Sequence, residues 1–106
     1  MKQSKALSGL ALAKRAGKLV MGFDAVMDSA KRGETKLVAL STELSPKTQK
    51  EAAYYCERYG TALIRITLPL EDAKSVLGKR SGVFGITDEG FRRLLQAAEA
   101  SAGIQE

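Results

Sequence analysis

The chain has 106 residues, 44% of them hydrophobic and 6% aromatic, with no Trp, no His and a single Cys. That suits one small domain with a mainly aliphatic core. The missing His and the lone Cys56 weigh against a zinc site, a Cys–His nucleophile or an internal disulfide. The formal net charge is +5, and it is unevenly spread: residues 1–36 carry eight basic and three acidic residues, residues 37–81 seven and five, residues 82–106 two and four. A basic first third attracts polyanions and speeds their encounter, so the charge leaves two readings level, a nucleic-acid partner and a solvated surface kept soluble by its charge.

In chain order, Leu7, Leu10, Ala11 and Ala13 lie on one face of a short amphipathic helix predicted over Ser4–Ala16, stopped by Gly17. Lys14 and Arg15 break its apolar part, so it does not read as a signal peptide. Lys18–Met21 is a short extended segment. Gly22 then opens a second helix, with Asp24 in its first turn, Phe23, Val26, Met27 and Ala30 on one face, and Gly33 as its stop. Lys36–Leu40 is nearly continuous apolar sequence, which marks a strand covered on both faces. Ser45-Pro46 is an N-cap followed by proline in the first helical position, and that helix runs to Tyr59 and stops at Gly60. Ala62–Ile66 is a strand, Leu70–Leu77 a short helix, and Gly82–Ile86 another strand. Thr87 is placed to cap a last helix with Phe91, Leu94, Leu95 and Ala98 inward, followed by a tail, frayed from about residue 100. Strands alternating with helices predict an α/β chain, a three-layer α/β/α sandwich around a small mixed sheet of about four strands, with residues 1–106 as a single domain.

Catalytic constellations are wanting. Gly78-Lys79-Arg80-Ser81 lacks the upstream glycine of a phosphate loop. Ser41, Thr42 and Ser45 have no His partner, and Asp24 with Asp28 is a pair on one helix without an opposed carboxylate. Cys56 reads as a small buried hydrophobe. Tyr54, Tyr55 and Tyr59 fall on one helix, as core cover before base-stacking platform. No cofactor, metal or membrane is expected, the lone cysteine fits a cytoplasmic setting, and the chain is expected to be a monomer.

An ordered set of segments carries a resemblance. It comprises Leu10-Ala11-Leu12-Ala13-Lys14-Arg15-Ala16-Gly17-Lys18-Leu19-Val20, then Gly22, Lys31-Arg32-Gly33 and Lys36-Leu37-Val38. It continues with the Glu43-x-x-Pro46 turn, Leu77-Gly78-x-x-x-Gly82-Val83 and Ile86-Thr87-Asp88-Glu89-Gly90-Phe91. Over about residues 4–96 the chain resembles the kink-turn-binding ribosomal protein family, the large-subunit seven-Ae and thirty-e type, in its bacterial YlxQ-like branch. The resemblance implies an α/β/α sandwich that binds structured RNA without catalysis, with ribosomal or other RNA as partner and ribosomal or translation-factor proteins nearby. It places the RNA at the front of the helix beginning at Gly22, over Gly22, Phe23, Asp24, Ala25 and Asp28. Flanking contacts would come from Glu43 in the turn before Pro46, from Lys79, Arg80, Ser81 and Gly82, and from Lys14, Arg15 and Lys18. Ser81-Gly82 is then a place where an unstacked nucleotide approaches closely.

The opening motif departs from the pattern. The family shows Gly-x-(Asn or Lys)-(Glu or Gln)-x-x-Lys, whereas this chain has Gly22-Phe23-Asp24-Ala25-Val26-Met27-Asp28. Asp24 stands for a donor, Ala25 removes a side chain that reads a guanine edge, and Asp28 reverses a lysine's charge. Two readings follow: RNA binding that has moved from base edges to backbone and shape, or a protein-interaction module that kept the fold.

Overall fold

The computed structural model describes residues 5–104, with side chains through residue 98. Its elements are α1 (Lys5–Arg15), β1 (Leu19–Met21), α2 (Phe23–Lys31), β2 (Leu37–Ser41), α3 (Pro46–Tyr59), β3 (Ala62–Ile66), α4 (Leu70–Leu77), β4 (Val83–Ile86) and α5 (Glu89–Ile104). Each predicted element is present. Ser4, the expected start of the first helix, lies outside the described residues.

The strands form one mixed sheet in the order β1-β4-β2-β3. β2 and β3 are parallel, and β4 runs antiparallel to both β1 and β2. All five residues of β2 are buried, as its apolar run requires of a strand covered on both faces. On one face Leu37, Ala39, Phe84 and Ile86 pack with Leu10 of α1, Leu77 of α4 and Leu95 of α5. On the other, Val38, Leu40 and Val83 pack with Val26 and Met27 of α2 and Ala52 and Cys56 of α3. The result is the three-layer α/β/α sandwich with a four-stranded mixed sheet. Gly85, inside β4, is where α2 comes down on the sheet: a Cβ there would lie 3.2 Å from Val26 Cγ1 and 2.9 Å from Thr35 Oγ1.

Two expectations are corrected. The cap of α5 is Asp88: its Oδ2 accepts from the Phe91 N–H at 3.1 Å, while the Thr87 N–H donates to Lys18 O and so still belongs to the strand end. Leu94 is 45% exposed, because it sits about 100° round the helix from fully buried Leu95, at the border between α5 and α1. α5 itself is described to Ile104.

The antiparallel setting of β4 fixes the polarity that matters. The C-terminal ends of β1, β2 and β3 share one end of the sheet with the N-terminal end of β4. The helices that follow β1, β2 and β3 therefore all begin there, next to the loop that enters β4.

Candidate nucleic-acid interface

Three helix N-termini meet at that end, and their first N–H groups are handled differently. At α3, the Ser45 side chain accepts from the Thr48 N–H at 3.2 Å. At α4, Glu43 Oε1 accepts from the Leu70 N–H at 3.1 Å. At α2, the N-cap is Gly22, with φ +102° and no side chain to offer. Gly22 itself is tied at both ends, its N–H donating to Val83 O at 3.0 Å and its carbonyl accepting from the Val26 N–H at 3.0 Å. The N–H groups of Phe23, Asp24 and Ala25 have no acceptor among the described residues. They form a cluster of aligned donors at the positive end of a helix dipole, which is anion- and acceptor-binding geometry.

Lys79 stands over this opening. A Cβ built on Gly22 would lie 3.3 Å from Lys79 Nζ, and Lys79 is exposed and makes no hydrogen bond or ion pair among the described residues. Its loop is held from behind. Lys14 Nζ donates to Leu77 O, the end of α4, at 2.6 Å, where a cation also offsets the negative end of the helix dipole. Ser81 Oγ accepts from the Val83 N–H and meets the Val83 carbonyl, at 3.3 and 3.2 Å. On the other side, Ser41 Oγ donates to Leu68 O at 2.6 Å and accepts from the Glu43 N–H at 3.1 Å. Gln49 Nε2 donates to Leu44 O at 2.9 Å, and its oxygen accepts from Arg65 Nε at 3.1 Å.

The expected contact residues thus divide. Gly22, Asp24, Ala25 and Lys79 surround the open donors, with Phe23 half-buried beside them, its ring edge-on to Tyr55 at 6.3 Å. Asp24 is exposed and makes no hydrogen bond among the described residues. Asp28 lies about one and a half turns along α2 and is paired with Arg32, which also reaches Glu34 at 3.1 Å; the hydrogen bonds to Glu34 and Asp28 raise the guanidinium pKa above its ordinary value. Arg80 is exposed and paired with Glu71 at 3.2 Å.

Others are spent on structure. Glu43 caps α4, Lys14 caps the far end of the same helix, and Ser81 is buried in its turn. Gly82 is no seat for a nucleotide. A Cβ there would lie 2.7 Å from Leu44 Cδ2 and 2.9 Å from Leu70 Cδ2, so the space in front of it is filled by two leucines. Lys18 belongs to the opposite end of the sheet: Leu19 pairs with Ile86, while Gly22 bonds to Val83 at the other end of β4, about 10 Å away. Arg15 is exposed at the end of α1, near the start of β1.

Sequence reasoning missed the bracing set Ser41, Gln49 and Arg65. Ser41 carried a signal, a hydroxyl closing an otherwise apolar strand; the other two carried none. Cys56 is buried, and burial pushes its thiol up to about 11. Among the described residues no cluster of acidic, Cys or His side chains could hold a metal ion, and no helix is long and apolar enough to cross a membrane.

The model of the ribosomal protein L7Ae/L30e/S12e/Gadd45 family matches residues 4–94. The chain belongs to this family. It is 31% identical over 101 residues to the large ribosomal subunit protein eL30 of Aeropyrum pernix, covering 93% of this chain and 98% of that one. It is 32% identical over 91 residues to the RNA-binding protein YlxQ of Bacillus subtilis, covering 81% and 86%. Among solved structures, a Bacillus halodurans protein of unknown function is similar at a TM-score of 0.79 and 31% identity, over 91% of this chain and 97% of that one. A 15.5 kD RNA-binding protein of Giardia lamblia shares the fold at a TM-score of 0.73 and 13% identity, over 92% and 83%. Both solved structures share the overall fold of this chain.

Proposed function

We propose that this chain is a non-catalytic RNA-binding protein of the cytoplasm, associated with the ribosome or with translation. In this reading it grips structured RNA with the open front of α2. The observation that carries the reading is the set of three unclaimed N–H groups at Phe23, Asp24 and Ala25 with the Lys79 ammonium above them. Phosphate or base-edge acceptors satisfy such donors, and Gly22 keeps the approach clear of side chains. The names of the eL30 and YlxQ relatives support the same class of ligand.

The chemistry of the front turn favours backbone and shape over base identity. Asp24 is an acceptor only, and Ala25 has no hydrogen-bonding atom, so neither donates to a base as the family's pattern would. Lys79 and Arg80 supply charge to phosphates. Binding measured over a salt series against kink-turn, ribosomal and unrelated structured RNAs tests this. The expected result is a steep fall of affinity with salt and little preference for kink-turns. Absence of binding to all three near physiological salt overturns the reading, and nanomolar selective kink-turn binding overturns its shape-reading part.

One observation favours a second reading, a protein-interaction module. The unpaired Asp24 carboxylate at the open turn suits a basic partner as well as it discourages RNA. Association with cellular proteins that survives nuclease treatment, together with failure to bind RNA, would select it.

A further inference from the structure

The aromatic residues on α3 are not a self-contained core patch. Phe23, whose N–H is one of the open donors, meets Tyr55 edge-on with centroids 6.3 Å apart. Tyr55 stacks on Tyr59 at 5.9 Å and 22°, and meets Tyr54 edge-on at 5.2 Å. Tyr54 is 58% exposed, so its ring keeps a face open to solvent. Two ring-to-ring steps therefore lead from the mouth of the α2 opening to an exposed aromatic surface on the next helix.

The charge around that ring suits a polyanion. At about 100° per residue, Lys47 lies about 20° from Tyr54 on the α3 surface, and Lys50 and Arg58 about 40° on either side. Glu51 and Glu57 lie farther round, at about 60°. All three cations are exposed and none forms an ion pair among the described residues. The stripe is thus a row of free cations with one open ring in its middle. Single-stranded nucleic acid is held by this combination, base on ring and phosphate on cation.

We infer that the Tyr54 stripe of α3 is a second RNA subsite, which stacks an unpaired nucleotide flanking the structured RNA held at α2. Tyr54 supplies the stacking face, and Lys47, Lys50 and Arg58 track the adjoining phosphates. Tyr55 stays half-buried and keeps the ring row continuous with Phe23. The inference rests on the RNA reading of the α2 opening.

The full chain supplies its own reporter. It contains three tyrosines, all in this row, and no tryptophan, so its intrinsic fluorescence comes from the row itself. The chain is titrated with a kink-turn hairpin, with the same hairpin bearing a short single-stranded oligoadenylate extension, and with oligoadenylate alone. The extension raises affinity about fivefold or more and quenches the tyrosine signal. Tyr54→Phe keeps the gain, whereas Tyr54→Ala loses it while binding the unextended hairpin as before. Three results overturn the inference: an extension without effect on a hairpin that binds, a Tyr54→Ala variant equal to the unmodified chain on extended RNA, or equal losses on both RNAs. A stripe that holds a protein would give the second. Quenching by oligoadenylate alone, lost in Tyr54→Ala while the hairpin fails to bind, upholds the stripe and overturns the α2 reading. If none of the RNAs binds, both fall.

Discussion

α3 and α4 each begin with a first-turn N–H held by a side-chain oxygen, and α2, at the same end of the same sheet, begins with three N–H groups and none so held among the described residues. The difference lies in three residues: Ser45 and Glu43 offer oxygens to the helices they serve, and Gly22 has nothing to offer. A closed end is satisfied inside the chain and contributes to stability, by about 1 kcal/mol for a serine cap. An open end leaves its donors to solvent or to a ligand. The fold thus sets two ends braced by side chains beside one open end, and the comparison can be pressed experimentally.

The largest effect is expected from restoring side chains that read bases. Asp24→Lys with Ala25→Gln and Asp28→Lys should raise kink-turn affinity by about two orders of magnitude or more, since each restored contact is worth roughly 1–3 kcal/mol. Titration of the single variants should rank Asp24 above Asp28, because Arg32 already offsets the second carboxylate. Next comes the opening itself. Gly22→Ala forces a side chain into φ +102° beside Lys79, at about 1–3 kcal/mol of stability. Urea unfolding should show that loss. RNA titration at a temperature where the variant is folded should show weaker binding as well; a variant with both unchanged would mean the open end is not special.

The closed ends should behave in the opposite way. Ser45→Ala should cost about 1 kcal/mol in urea unfolding and leave RNA affinity alone, and Glu43→Ala should do the same more weakly. An RNA effect from either with no loss of stability would erase the distinction. Smaller again is the contrast between two lysines. Lys79→Ala should flatten the logarithmic salt slope by about 0.7–0.9 of a unit, and Lys18→Ala, at the far end of the sheet, should change it less.

The effect most remote from the opening concerns the core behind α3. Because the folded Cys56 thiol is pushed up to about 11 from an ordinary 9.0, its contribution to stability is intact below pH 9 and is lost as pH rises through 11. Urea midpoints should therefore fall over that window, and less so in Cys56→Ala.

Much of the fold was legible because its signals are local. The apolar run Leu37–Leu40 announces a strand covered on both faces, and Ser45-Pro46 announces a helix start from adjacent residues. Gly22 as an open cap was legible for the same reason. The roles of Glu43 and Lys14 were not. Each side chain binds a helix end far along the chain, Leu70 and Leu77, at separations of 27 and 63 residues. Gly82 misled because a glycine beside a basic loop reads as room for a ligand, while the leucines that fill the room come from the turn before α3 and from α4. Thr87 was placed as the cap one position too early, and Leu94 was placed inward with Leu95 because a helical period does not reveal where a neighbouring helix ends its contact.

The sequence by itself determined the order of elements, the absence of histidine chemistry, the basic first third and the presence of Asp24, Ala25 and Asp28 where the family resemblance implies base-reading side chains. These are properties of residues and their near neighbours. Only the tertiary structure decided which cations face the opening. β4 lies antiparallel between β1 and β2, so it brings Lys79 over Gly22 while leaving Lys18 at the other end of the sheet. A lysine's charge is set by its side chain, but the field it adds to a site depends on distance, and the pairing of strands far apart in sequence sets that distance.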